Sequence, residues 1–253
     1  MTFKGNDIID RGCHVYPFTF QIPAEDLPSS FKSSSGKIVY KVEAILKRSL
    51  KVDSKAKAHF TLVHNGTIHS DLMLKAPQYG NTEKKMKLFS SGAVALDVNI
   101  ERTGYHQGEG IKVVAYIQNS SSRDIKPKYH LYEKRSYFAK GRRKTRTTDI
   151  LKEVGDAVPP SAGQAVTRII TIPPATHASI LNCKILKREH RLRVSLDVKY
   201  ASDPEIKLPI VILQASQDPD DACPQYSVLS ALPPANGIAG MYPSLTDFNG
   251  SSC

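Results

Sequence analysis

No stretch of the chain approaches the roughly 18 consecutive apolar residues that span a bilayer as a helix, and the start, MTFKGNDIID, lacks the apolar core of a secretory signal. A soluble chain is therefore expected, with any membrane contact peripheral. Cysteine is scarce: Cys13, Cys183, Cys223 and Cys253 lie far apart without CxxC spacing. Neither a dense disulfide framework nor a clustered zinc site fits that pattern, and a reducing compartment does. Catalytic signatures are missing too. No HExxH, GxSxG, GxxxxGK(S/T) or strand-borne GxGxxG occurs, so nothing unites nucleophile, base and stabilising donor. An enzyme is the least supported class, and neither cofactor nor metal is expected; His14 and His130 read as packed or surface residues. Helical periodicity is equally sparse, with Asp149–Gly155 as the short helical candidate.

What the chain does have is alternation. Val94, Leu96, Val98 and Ile100 share one face of a strand, as do Ile111, Val113, Ala115 and Ile117, joined through the turn-rich Thr103–Gly110. Such a period of 2 puts one side in a core and the other in water. Similar runs follow Tyr16, Phe18, Phe20 and Ile22, then Ile38 to Leu46, and Ala58, Phe60 and Leu62. Further strands are expected over Lys128–Ala139, Gln164–Ile172, Ile180–Lys187, His190–Tyr200 and Ile206–Leu213, so the fold class is all-β. Lys75–Lys87, with Pro77, Gly80 and four lysines, breaks the periodicity and reads as a boundary. Asp97, Glu101 and Asp197 are assigned to solvent faces.

Charge is lopsided. The formal net charge is +11, yet the last 40 residues hold no Lys or Arg, four Asp and 14 residues that are Pro, Gly or Ser. That composition predicts a disordered tail and leaves the body at about +15, suited to an acidic partner. Lys134, Arg135, Lys140, Arg142, Arg143, Lys144 and Arg146 put seven cations in thirteen residues around Gly141. Packed on a hairpin they would suit phosphates or an acidic segment. We take Lys140, Arg142, Arg143, Lys144 and Arg146 as the candidate phosphate, phosphoinositide or acidic-partner site. A second strip, Lys184, Lys187, Arg188, Arg191 and Arg193, reads as an outward polar face. In the tail, Tyr226-Ser-Val-Leu229 and Tyr242-Pro-Ser-Leu245 fit Tyr-x-x-apolar, a short peptide with two anchors for a sorting partner.

Three segments together carry a resemblance: GCHVYPFTFQIPAEDLPSSFKSSSGKIVYKVEAILKRS, LFSSGAVALDVNIERTGYHQGEGIKVVAYIQNSSSRDIKPKYHLYEK and LDVKYASDPEIKLPIVIL. In this order they resemble the α-arrestins, the arrestin-domain-containing proteins, from about Gly12 to Leu213. The resemblance implies tandem immunoglobulin-like β-sandwiches: a partial N-domain over 1–80, a linker over 81–87, a C-domain over 88–213 and a disordered tail over 214–253. It also implies a cytoplasmic adaptor, peripheral at plasma membrane and endosomes. Such an adaptor links membrane-protein cargo tails to WW-type ubiquitin ligases and to endosomal machinery; the tail motifs add clathrin-adaptor and endosomal-sorting proteins as partners, and the positive charge adds a peripheral contact with anionic membrane.

Two departures shape the expectation. Family members carry several strands before the motif that here starts at Gly12, so the first sandwich is expected to be incomplete: unstable by itself, covered by a partner, or the product of a truncated isoform or incomplete gene model. The tail lacks Pro-Pro-x-Tyr; Pro233-Pro234-Ala235-Asn236 and Pro159-Pro160-Ser161-Ala162 come nearest, so direct docking of a WW-type ligase is not expected. The alternatives are a regulatory interaction protein of the thioredoxin-interacting type and, on charge alone, a nucleic-acid-binding β protein. Tyr137 and Phe138 make too small a stacking platform for the latter.

Overall fold

The alternating residues Val94, Leu96, Val98, Ile100, Ile111, Val113, Ala115 and Ile117 each keep at most 2 % of their surface exposed, and they form one wall of a β-sandwich. The structure, a computed structural model, describes residues 12–23, 26–47, 50–64, 72–85, 92–198 and 202–215. These all fall within one compact unit, Met1–Ser216.

In chain order, β1 (Phe31–Lys32) pairs with β2 (Lys37–Ile38), and β3 (Tyr40–Leu46) with β4 (Ser54–Phe60), each as a two-stranded antiparallel ribbon. One helical turn, α1 (Leu72–Lys75), leads into β5 (Gln78–Lys85), β6 (Ala93–Ile100), β7 (Gly104–His106) and β8 (Gly110–Asn119). Then follow β9 (Lys126–Ala139), β10 (Arg142–Val154), β11 (Ala162–Thr171), β12 (Leu186–Asp197) and β13 (Glu205–Leu213). One sheet runs β10-β9-β12-β13-β7 and the other β11-β8-β6-β5. Every pairing is antiparallel except β7 with β13, which is parallel. Leu192, Val194, Leu196, Ile210 and Ile212 of the first sheet meet the β6 and β8 residues of the second in one continuous core.

The expectation of an all-β, arrestin-like sandwich architecture therefore holds, but four local readings are corrected. Residues 81–85 of the expected linker belong to β5, which pairs with β6 from Gln78↔Ile100 to Lys85↔Ala93. Its half-buried positions are Gln78, Gly80, Thr82 and Lys84, so no apolar alternation betrays it. Gly80 is required by packing, since a Cβ there would stand 2.5 Å from Ile206 Cγ2. The helical candidate Asp149–Gly155 is strand through Val154, with a register shift between Asp149 and Leu151. Instead of a strand over Ile180–Lys187, Ile180 forms a single bridge to Arg188 and Leu186 opens β12.

The fourth correction concerns Tyr16–Ile22. The segment is not strand, and its large side chains stay in solvent, Phe20 at 68 %. Alternation yields a strand only where a neighbour completes the ladder, and none does so among the described residues. At the other end, Gln214 and Ala215 are still anchored, through His106 Nδ1 to Gln214 O at 2.6 Å and Ala215 N–H to Gln107 Oε1 at 2.9 Å. The remainder of the expected tail lies outside the described residues.

Candidate functional site

The basic cluster sits on the β9–β10 hairpin, whose two-residue turn puts Lys140 at φ 50° and Gly141 at φ 70°. Positive φ at both central residues is the type I′ geometry that matches strand twist, and glycine relieves the cost at the second. The register runs Arg142↔Ala139, Lys144↔Tyr137 and Arg146↔Arg135, with Arg143↔Phe138 and Thr145↔Ser136 on the alternate face. From Arg142 to Asp149 every residue of β10 is exposed, whereas Ile150, within the register shift, and Leu151, past it, pack toward the core. The hairpin thus overhangs the sandwich.

The five candidate cations divide by face. Arg143 is occupied internally: its guanidinium donates to Ser136 Oγ at 3.2 and 2.8 Å, stacks 5.5 Å from the Phe138 ring and lies 3.9 Å from Glu189. Lys140, Arg142, Lys144 and Arg146 have no ion-pair partner among the described residues. Arg142 and Lys144, with Arg143, Tyr137 and Ala139, line an open cleft of about 420 Å³ closed on the other side by Ser34 and Ser35 from the β1–β2 turn. What this cleft offers is positive charge, hydroxyls and one aromatic ring, a set suited to carboxylates or phosphates.

Beneath the cleft lies a polar arrangement that the sequence reading missed. Glu133 and Arg188, 4 % and 9 % exposed, form an ion pair at 3.1 Å; the oxygen stands outside hydrogen-bonding geometry for Arg188 Nε–H. The other Glu133 oxygen accepts from Arg135 Nε–H, and Arg188 Nη1 donates to Ala178 O at 3.1 Å. Burial lowers the Arg188 pKa, while Glu133 opposes that shift. Arg188 also stacks 4.8 Å from the Phe31 ring. Phe31 closes a small second core with Tyr137, Ile180 and Leu186, flanked by Ile38 and Cys183, and Ser33 Oγ lies 3.1 Å from Tyr137 Oη. This core fixes the β1–β2 ribbon against the turn end of the hairpin and so shapes the cleft.

Of the second basic strip, Arg188 turns inward, correcting its assignment to an outward face; the phase of β12 places it with Leu186, His190 and Leu192. Arg191 and Arg193 face outward and are paired, with Glu189 at 3.8 Å and Glu205 at 3.3 Å. Lys187 is exposed. Glu101 and Asp197 are on solvent faces, bound to Lys112 at 2.9 Å and Lys128 at 3.0 Å. Asp97 is half-buried and accepts from Tyr79 Oη at 3.1 Å. His130 pairs with Asp149 at 2.7 Å. His190 Nδ1 lies 2.9 Å from Ser179 Oγ, which also accepts the Ile212 N–H at 2.9 Å. Burial, then Arg188 and His177, drives the His190 pKa down to about 3, so this Ser–His pair lacks a base able to take a proton near neutrality.

Cys13 is an exposed free thiol and Cys183 a half-buried one. Among the described residues no helix is long and apolar enough to cross a membrane, and no group of three His, Cys, Asp or Glu could hold a metal. The motif residues Tyr226, Leu229, Tyr242 and Leu245 lie outside the described residues.

Residues 90–217 match the family model described as arrestin (or S-antigen), C-terminal domain, and residues 2–69 the corresponding N-terminal domain. Over 214 residues the chain is 34 % identical to arrestin domain-containing protein 4 of Mus musculus, covering 83 % of this chain and 51 % of that protein. The Homo sapiens protein of that name is also 34 % identical, over 83 % of this chain and 50 % of its own length. Thioredoxin-interacting protein of Mus musculus is 30 % identical, over 79 % and 50 % respectively. The chain thus spans about half the length of these relatives.

Proposed function

The chain belongs to the arrestin family, in its α-arrestin branch, and on that premise we propose that it works as a non-enzymatic trafficking adaptor. It holds an acidic or phosphorylated cytoplasmic segment of a membrane receptor or transporter, and links that cargo to ubiquitination, endocytosis and endosomal sorting. Binding geometry is the whole mechanism. The overhanging hairpin and cleft grip the cargo, while Tyr242-Pro-Ser-Leu245 and Tyr226-Ser-Val-Leu229 serve a sorting or clathrin-adaptor partner. Joining two weak contacts in one chain raises the effective concentration of the second to the order of millimolar for a short flexible tether. The protein acts in the cytoplasm, peripheral at plasma membrane and endosomes.

The observation that carries this reading is the set of four cations, Lys140, Arg142, Lys144 and Arg146, which have no ion-pair partner among the described residues and sit on one exposed hairpin. Exposed charges gain little folding stability even when paired, whereas they raise both the rate and the specificity of meeting an acidic partner. Charge reversal at Arg142, Lys144 and Arg146 is expected to abolish retention on acidic cargo-tail peptides, with the loss steepest at low salt. Retention that survives reversal removes the hairpin from the mechanism.

A second reading follows from the relative named thioredoxin-interacting protein and from the free thiols Cys13 and Cys183. It makes the chain a regulatory partner of thioredoxin through a mixed disulfide, formed when one of these thiolates attacks the disulfide of oxidised thioredoxin and displaces one of its sulfurs as a thiolate. Capture lost in Cys13→Ser or Cys183→Ser chains supports it; capture indifferent to both dismisses those thiols.

A further inference from the structure

Among the described residues the outer edge of β10 is unpaired, since β9 is its neighbour in a sheet of which β10 forms one end. Which backbone groups that edge presents follows from the turn. In a two-residue hairpin the flanking residues, here Ala139 and Arg142, exchange both backbone hydrogen bonds, and the pattern alternates outward from them. Arg142, Lys144 and Arg146 therefore commit their N–H and C=O to β9, while Arg143, Thr145 and Thr147 aim theirs away from it. The Phe138 N–H confirms the phase: opposite Arg143, it donates to Ile185 O at 2.9 Å, on the side remote from β10.

We propose that Arg142–Thr148 receives an extended acidic peptide as a sixth strand of this sheet, reading acidic side chains at every second position. The outward groups of Arg143, Thr145 and Thr147 supply main-chain hydrogen bonds, the means by which edge strands capture peptides. Arg142, Lys144 and Arg146 supply the reading. They share one face, about 6.8 Å apart along the strand, and in antiparallel addition they fall at the non-hydrogen-bonded positions where facing side chains come closest. The same cations repel a second copy of this edge, as charged edge strands do, so the partner they admit carries the opposite sign. The cleft against Ser34 and Ser35 closes the turn end of this face, and the register shift after Asp149 ends it at the other. Arg142–Thr148 lies between these limits.

This inference rests on the basic hairpin being the cargo surface, and its test separates the two claims. Fluorescence anisotropy on the full chain compares a labelled peptide carrying Asp at alternate positions among Val and Thr with one of identical composition whose Asp residues are contiguous. The alternating peptide is expected to bind at least about tenfold more tightly; equal affinities overturn strand addition. Thr145→Pro removes one outward N–H without touching the β9 ladder. It is expected to bring the alternating peptide down to the level of the contiguous one, while Thr145→Val keeps the difference. Undiminished binding by folded Thr145→Pro also overturns the proposal, and if that variant fails to fold, the peptide pair on the unaltered chain still decides. Retention on phosphatidylserine-containing vesicles with no peptide binding overturns it in favour of a membrane surface. Charge reversal that abolishes cargo retention while Thr145→Pro does not leaves the adaptor reading standing and removes the strand; reversal without effect removes both.

Discussion

The pairs β6–β8 and β3–β4 carry the same kind of alternating sequence and meet opposite fates. Leu96 on β6 is 0 % exposed, whereas Leu46 on β3 is 48 % exposed, with Val42 and Phe60 on the same face also in solvent. The difference lies in what faces each pair. Across from β6 and β8 stands a second sheet with Leu192, Val194 and Ile212; the β3–β4 ribbon has two strands and no opposing layer among the described residues. Alternation thus specifies that a strand forms, and a partner sheet specifies whether its apolar side contributes to stability.

Substitution tests that contrast directly. Leu96→Ala deletes fully buried methyl groups from a two-sheet core and is expected to lower unfolding stability by about 2–5 kcal/mol in urea denaturation. A cost near zero would mean that the sandwich gains no more from its core than the ribbon does. His190 provides the intermediate case. With its pKa at about 3 in the folded chain, against an ordinary value near 6.5, it takes up a proton readily once unfolded and reluctantly while folded. Its contribution is complete above pH 6.5 and is lost as pH falls toward 3, by up to about 1.4 kcal/mol per pH unit. Denaturation at stepped pH checks this, with His190→Gln expected to flatten the slope. At the bottom of the scale, Leu46→Ala is expected to change stability by no more than about 0.5 kcal/mol. A larger loss would reveal that the ribbon is covered in solution.

The sandwich was legible wherever strands have one apolar face, so β6, β8, β9, β12 and β13 could be drawn from residue alternation alone. β5 could not, because its inward positions are Gln78, Gly80, Thr82 and Lys84, and only the close approach of Ile206 explains the glycine. β7 hid inside a turn-rich connection for another reason: three residues are too few to show a period. The basic hairpin was readable from charge density around Gly141. Its division into an engaged Arg143 and unpaired neighbours was not, since that depends on Ser136, Phe138 and Glu189 arriving from two strands. The buried Glu133–Arg188 pair left a trace, since Arg188 falls in phase with Leu192 and Val194 on β12. A charge in an apolar phase invites the outward assignment until its counter-ion, on a different strand, is seen.

β7 has a mechanical consequence. The chain leaves β6 in one layer, crosses to lie parallel with β13 in the other, and returns within a few residues to resume the first layer as β8. This short stitch laces the two layers together beside the longer crossings β8–β9, β10–β11 and β11–β12, so they do not separate like facing pages. Prising open either one drags on the other, which makes the sandwich a single cooperative block under load.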